Sequence, residues 1–255
     1  LGENCIRLRR TIFRDNRKVS FMLTFNFNNI SPEKDSFMLD AGCGPGRHVF
    51  GFMDQFPDIT CVGVDLDSDS LQEGKTNLTL FSSISNKEST FLQGSVYNLP
   101  FSDNAFETII CSEVLEHVAD VDATLKELTR LLKPGGNLLI SVPSYFPEKI
   151  CWLLSKDYQN MPGGHVRIFR KSVLQEKVEE KGYCLERTEK YHALHSPYWW
   201  LRCLFWSSQD NNFLVKVYKK ILEIQILRNP MILRVLDNLL NPFLGKSTSF
   251  YFKKL

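Results

Sequence analysis

The chain has 255 residues, 43% apolar and 24% charged, with a formal net charge of +2. That is chain enough for a sizeable core, in one large domain or two small ones, with an ordinary globular mix. Near-balanced charge argues against a nucleic-acid partner. No apolar run reaches the roughly 18 residues of a membrane span, and no signal peptide is expected at the start. Seven cysteines (Cys5, Cys43, Cys61, Cys111, Cys151, Cys184, Cys203) are scattered without a C-x-x-C pair. That is poor disulfide or zinc arithmetic, so a reducing cytoplasm is expected and no metal site is.

Residues 1–36 begin with Arg7, Arg9, Arg10, Arg14, Arg17 and Lys18, then turn aromatic at Phe21, Phe25 and Phe27. They read as a cover helix before the first strand, or as a lid. The apolar run Phe37–Leu39 reads as a buried parallel strand that ends in Asp40. Gly42, Gly44 and Gly46 follow at alternate positions, and glycine lets backbone turn sharply beneath a bound ligand. A helix with Val49, Phe52, Met53 and Phe56 on one face comes next and stops at Pro57. Strand, turn and helix together make the start of a nucleotide-type site. A dinucleotide fingerprint would need a third glycine where Arg47 stands, which disfavours a nicotinamide-dependent oxidoreductase.

Ile59–Asp65 is the second strand, and Asp65 lies about 20 residues past the glycine turn, where a carboxylate can accept ribose hydroxyls. Leu66 is placed to lie against a base. A helix from Ser68 to Phe81, strands over 89–93, 107–111 and 137–143, and a helix over 120–132 complete an alternating α/β pattern. Lys133-Pro-Gly-Gly136 reads as the terminator of that last helix. Further helix and strand follow over 171–181 and 184–191, and Thr248–Lys253 forms the final strand.

Leu39-Asp-Ala-Gly-Cys-Gly-Pro-Gly46 resembles motif I of the class I S-adenosylmethionine (SAM) methyltransferases. Gly94-Ser-Val-Tyr-Asn-Leu-Pro-Phe101, Glu113-Val-Leu-Glu-His-Val118 and Leu131-Leu-Lys-Pro-Gly-Gly136 resemble later motifs of the same family, in order and correctly spaced. The likeness covers residues 37–144 and is nearest to the ubiquinone-biosynthesis-like and small-molecule group. It implies a Rossmann-like fold: a seven-stranded, mostly parallel sheet with an antiparallel last strand, flanked by helices. It also implies SAM as cofactor, S-adenosylhomocysteine as product, and a cofactor site at Asp40, Ala41, Gly42, Cys43, Gly44, Gly46, Asp65, Leu66, Ser95, Val96 and Cys111. Ser95 stands where the family usually has an aspartate on the adenine amino group, so Val96 and its backbone N–H take more of that recognition.

The domain reading is a cover or lid over 1–36, a cofactor-binding core over 37–191, a helical insertion over 192–246 and a final core strand over 247–255. The segment Gly164-His-Val-Arg-Ile-Phe169 resembles the family's acceptor-lining stretch, which makes His165 and Arg167 candidates, with Tyr145 just ahead of them. His165 is the better general-base candidate and His117 a second, since imidazole titrates near neutral pH. The insertion is aromatic at Tyr198, Trp199, Trp200 and Trp206, and basic beyond residue 213. It can cap the sheet, wall a pocket for a bulky hydrophobic acceptor, or rest weakly on an anionic bilayer to collect a lipid-like substrate. The leading expectation is therefore a methyltransferase acting on a small hydrophobic molecule. The alternative is a non-catalytic SAM-fold binding or scaffold protein.

Overall fold

A computed structural model describes residues 22–81 and 85–255. Its centre is set by strands whose side chains are buried on both faces, which requires helices above and below. These are β1 (Phe37–Ala41), β2 (Thr60–Asp65), β4 (Phe106–Ser112) and β5 (Leu132–Pro143). With β3 (Thr90–Gln93), β6 (Tyr183–Tyr191) and β7 (Ser247–Lys254) they form one sheet in the order β3-β2-β1-β4-β5-β7-β6. β7 runs antiparallel between β5 and β6, and the other pairings are parallel.

The helices are α1 (Arg47–Gln55), α2 (Ser68–Phe81), α3 (Val121–Leu131), α4 (Tyr145–Leu154), α5 (Lys156–Gln159), α6 (Lys171–Glu179), α7 (His195–Leu204), α8 (Phe213–Arg228) and α9 (Met231–Leu244). α3 is capped by the Asp120 side chain, which accepts from the Ala123 N–H, and turns Leu125, Leu128 and Leu131 onto the sheet. α7, α8 and α9 occupy the chain between β6 and β7, so the expected insertion is helical.

Lys133-Pro-Gly-Gly136 follows the end of the helix, as expected, but it does so as strand. α3 ends at Leu131 and the chain runs straight into β5, where Leu132 pairs with Phe106 before a register shift. Pro134 cannot continue a helix, and Gly135 at φ 71° supplies the irregularity that lets strand begin at once. Of the expected N-terminal cover, residues 1–21 lie outside the described residues, and residues 22–36 hold a 3-10 turn, Phe27–Asn29. There Phe25 and Phe27 stack on each other, with ring centroids 6.5 Å apart. Phe25 packs edge-on against Tyr251 and Phe27 against Phe52, which pins the segment across α1 and β7. α4 lies in a stretch that the sequence reading left without an element.

Candidate active site

At the carboxyl ends of β1 and β4 a glycine-rich cradle meets a cavity. In the cradle Gly42 and Cys43 both donate to the Val64 carbonyl, at 2.7 and 2.9 Å, folding the turn back over β2. Asp65 Oδ2 accepts from the Gly44 N–H at 2.7 Å, tying the end of β2 to the turn. Gly44 has φ +51°, and a Cβ there would meet nothing within 4 Å, so its outer side is free for a ligand. At Gly46, φ +89°, a Cβ would stand 2.5 Å from Phe91 Cζ, so that glycine is required by packing.

Below the turn Asp40 is wholly buried, and neither carboxylate oxygen has a partner among the described residues. Burial drives its pKa up to about 7, opposed by the Arg47 charge and reinforced by Asp65. Leu66 is 65% exposed, an apolar face beside Asp65 with no protein to cover it. Val96 is buried, and the Ser95 hydroxyl accepts from the Tyr97 N–H at 3.4 Å. Ala41 and Cys111 are buried strand residues of the sheet floor. Burial, then the charges of Glu116 and Asp40, push the Cys111 thiol upward, which removes it as a nucleophile.

The cavity of about 260 Å³ is walled by segments far apart in sequence. Arg47 and Glu113 come from the cradle side, His117 from the loop after β4, and Tyr158, Met161 and His165 from the stretch before α6. His192, His195 and Trp199 come from the insertion, and Lys246 from just before β7. His117 and His165 therefore meet, with ring centroids 5.0 Å apart. His117 Nδ1 is bonded to the Gly164 carbonyl at 3.1 Å, and His165 Nδ1 to Glu148 Oε1 at 2.7 Å.

Glu148, on α4, is buried and also receives the Lys246 ammonium and, at 2.9 Å, the Tyr158 hydroxyl. Burial alone would raise its pKa, but the hydrogen bond from His165 and the charge of Lys246 hold it down to about 2. His192 is pushed down to about 3, by burial first and then by the charges of His195 and Arg47. His195 is pushed down to about 4, again by burial. Both rings are neutral in the folded protein at pH 7.

The remaining expected residues are placed elsewhere. Arg167 does not wall the cavity; its guanidinium donates to the carbonyls of Leu115 at 2.9 Å and Ala119 at 3.0 Å, and to that of Val118. It clamps the loop that carries His117. Tyr145 lies under the cations of Lys149 and Arg170, and Tyr198 stacks on Tyr218 beside Trp199. Neither tyrosine lines the cavity. Glu148, His192, His195 and Lys246 were missed. Only His192 and His195 carried a signal, as two histidines opening the aromatic run.

Residues 39–140 match the family described as a methyltransferase domain. Over 107 residues the chain is 36% identical to an uncharacterised methyltransferase of Schizosaccharomyces pombe, covering 41% of this chain and 38% of that protein. Over 159 residues it is 35% identical to the ubiquinone/menaquinone biosynthesis C-methyltransferase UbiE of Francisella tularensis subsp. tularensis, covering 62% and 61%. The chain thus spans between about two fifths and three fifths of the length of these curated relatives. In fold it is similar to a SAM-dependent methyltransferase from Methanosarcina mazei, at a TM-score of 0.61 and 15% identity over 91% of this chain and 99% of that one. Residues 39–140 thus resemble a methyltransferase domain, and the residues of the cradle fit SAM as cofactor: a buried carboxylate without a partner among the described residues, an open glycine and an acid at the end of β2.

Proposed function

We propose that the protein transfers the methyl group of SAM to a small, hydrophobic acceptor held in the cavity beside the cradle. The observation that carries the reading is the shared wall: Arg47, one residue past the last glycine of the turn, and Glu113, one residue past β4, both line the acceptor cavity. A methyl group presented from the cradle would face that space directly. SAM supplies an electrophilic methyl on a good leaving group, so the chain's task is to align the acceptor and exclude water. Asp65 would hold the ribose, Leu66 and Val96 the adenine, and Asp40 the cationic amino-acid end. Tyr158, Met161 and Trp199 give the cavity its apolar surface, while His117 and His165 face the acceptor.

The insertion suits a lipid-like acceptor and weak contact with an anionic membrane surface. Phe213, Val217, Ile221, Ile224 and Leu227 form an exposed stripe at helical spacing on α8, and Ile232, Val235, Leu239 and Phe243 another on α9. Lys216, Lys219, Lys220, Arg228 and Arg234 lie among them. Among the described residues no helix is long and apolar enough to cross a membrane. Free thiols at Cys43, Cys61, Cys111, Cys151, Cys184 and Cys203 suit a reducing cytoplasm.

The test is incubation with methyl-labelled SAM and a panel of aromatic and isoprenoid acceptors, followed by organic extraction. Label in the organic phase supports the proposal. SAM binding without transfer to any acceptor, in the panel or in a whole-cell extract, would favour the scaffold reading instead.

A further inference from the structure

Glu116 follows β4 by four residues, is wholly buried, and leaves both carboxylate oxygens without a hydrogen-bond partner among the described residues. An acid in that state needs a cation or a proton. Beside it stand His117, on the same loop, and His165, from the stretch before α6. One ligand atom from each of the three lies within 4.8 Å of the others. The two segments are fastened together: the Val166 N–H donates to the Glu116 carbonyl at 3.0 Å, and Arg167 clamps residues 115–119.

The ring partners decide which nitrogens remain available to an ion. A carbonyl can only accept, so His117 carries its proton on Nδ1 towards Gly164, at 3.1 Å. The ionised Glu148 likewise draws the His165 proton to Nδ1. With the proton of the neutral ring on Nδ1, the Nε2 lone pair is the one left to bind. His117 Nε2 is 4.0 Å from Glu116 Oε1. Around a tetrahedral ion with bonds of about 2.0–2.1 Å, ligand atoms stand roughly 3.3 Å apart, so modest side-chain movement closes the set.

We propose that Glu116, His117 and His165 form a binding site for a divalent transition-metal ion, with an open coordination position facing the acceptor cavity. Two imidazoles and one carboxylate suit zinc, iron(II), cobalt(II) or manganese(II) better than calcium or magnesium. Glu148 is the outer partner that orients His165, itself fixed by Lys246 and the Tyr158 hydroxyl, an arrangement common behind metal-bound histidine. Both histidines line the cavity, so the open position would take an oxygen of the acceptor and hold it before the methyl donor. This role for the ion rests on the methyltransferase reading; the binding of the ion does not. It departs from the expectation drawn from cysteine spacing, because that arithmetic counts neighbours in sequence and these residues come from two loops.

The experiment titrates cobalt(II) chloride and, separately, zinc chloride into the untagged, EDTA-treated 255-residue chain, read by visible absorption and by calorimetry. Expected are one equivalent of ion bound, ligand-field absorption of cobalt with nitrogen and oxygen donors, and at least tenfold weaker binding in Glu116→Gln and in His165→Asn. Glu148→Gln should weaken binding roughly tenfold through His165. His165→Asn keeps the test valid if Glu116→Gln fails to fold. SAM titrated into the same EDTA-treated protein reads the cofactor site by itself. Folded protein that takes up less than a tenth of an equivalent of either ion overturns the metal proposal, whatever SAM does. So does an affinity unchanged in Glu116→Gln and His165→Asn.

Discussion

The cofactor cradle and the acceptor cavity share a wall but are built in opposite ways. The cradle is local. Residues 39–66 supply the turn, the buried acid and the carboxylate at the end of β2, and its shape comes from backbone: left-handed glycines, the Val64 carbonyl, and Asp65 on the Gly44 amide. The cavity is assembled from Met22, the loop after β4, the stretch before α6, the insertion and Lys246. Its shape comes from side chains and buried charge. A cradle of this kind can be kept while the cavity changes, because little of one depends on the other.

The largest expected effect falls on the cavity side. Glu148→Ala strands the buried Lys246 ammonium and unhooks His165, and should cost about 3–5 kcal/mol in chemical denaturation. A loss under about 1 kcal/mol would show that the pair does not hold the cavity together. On the cradle side Gly46→Ala forces a methyl into the Phe91 ring at a left-handed position, at about 3 kcal/mol. Acid should also act through the cavity. The folded pKa values of His192 and His195, about 3 and about 4, lie below the unfolded value near 6.5. The unfolded chain therefore takes up protons first, and stability present above pH 6.5 is lost as pH falls towards 4. Between pH 7 and pH 5 the loss is about 2–4 kcal/mol for the pair, the smaller figure applying where cavity water softens it. Thermal unfolding across that range should show it, and His192→Asn with His195→Asn should flatten the slope.

A smaller change separates the two regions more sharply. Gly44→Ala meets no neighbour, so its stability cost should be only about 1–2 kcal/mol of backbone strain. The added methyl would nevertheless occupy the ligand's side of the turn and lower SAM affinity at least tenfold. Equal affinity for the variant would mean that the cofactor lies elsewhere. Trp199→Ala should do the reverse, leaving SAM affinity intact while raising the acceptor KM several-fold.

That asymmetry also explains what the sequence disclosed. The first strands, the glycine turn and Asp65 were legible because strand–turn–helix spacing fixes them within thirty or so residues, while the antiparallel last strand came from the family resemblance. Glu148 was not, since a lone glutamate on a helix gains meaning only beside Lys246 and His165. Arg167 was read as an acceptor residue because the segment resembles an acceptor-lining one; nothing in the spacing reveals that carbonyls of residues 115–119 need a donor. Tyr145 and Tyr198 were read from their neighbourhoods, and both rings turn to cations or other rings instead of the cavity. Glu116 was visible as one letter of a motif, but its isolation in the core appears only in three dimensions.

Calorimetric titration of SAM into the wild-type chain and into Asp65→Ala measures the cradle's hold on the cofactor. The cradle described here predicts one molecule bound by the wild type, and a loss of about 2 kcal/mol or more, roughly thirtyfold, once the two ribose hydroxyls lose their charged acceptor. No heat from the wild type at millimolar SAM, or the same affinity in folded Asp65→Ala, would contradict it.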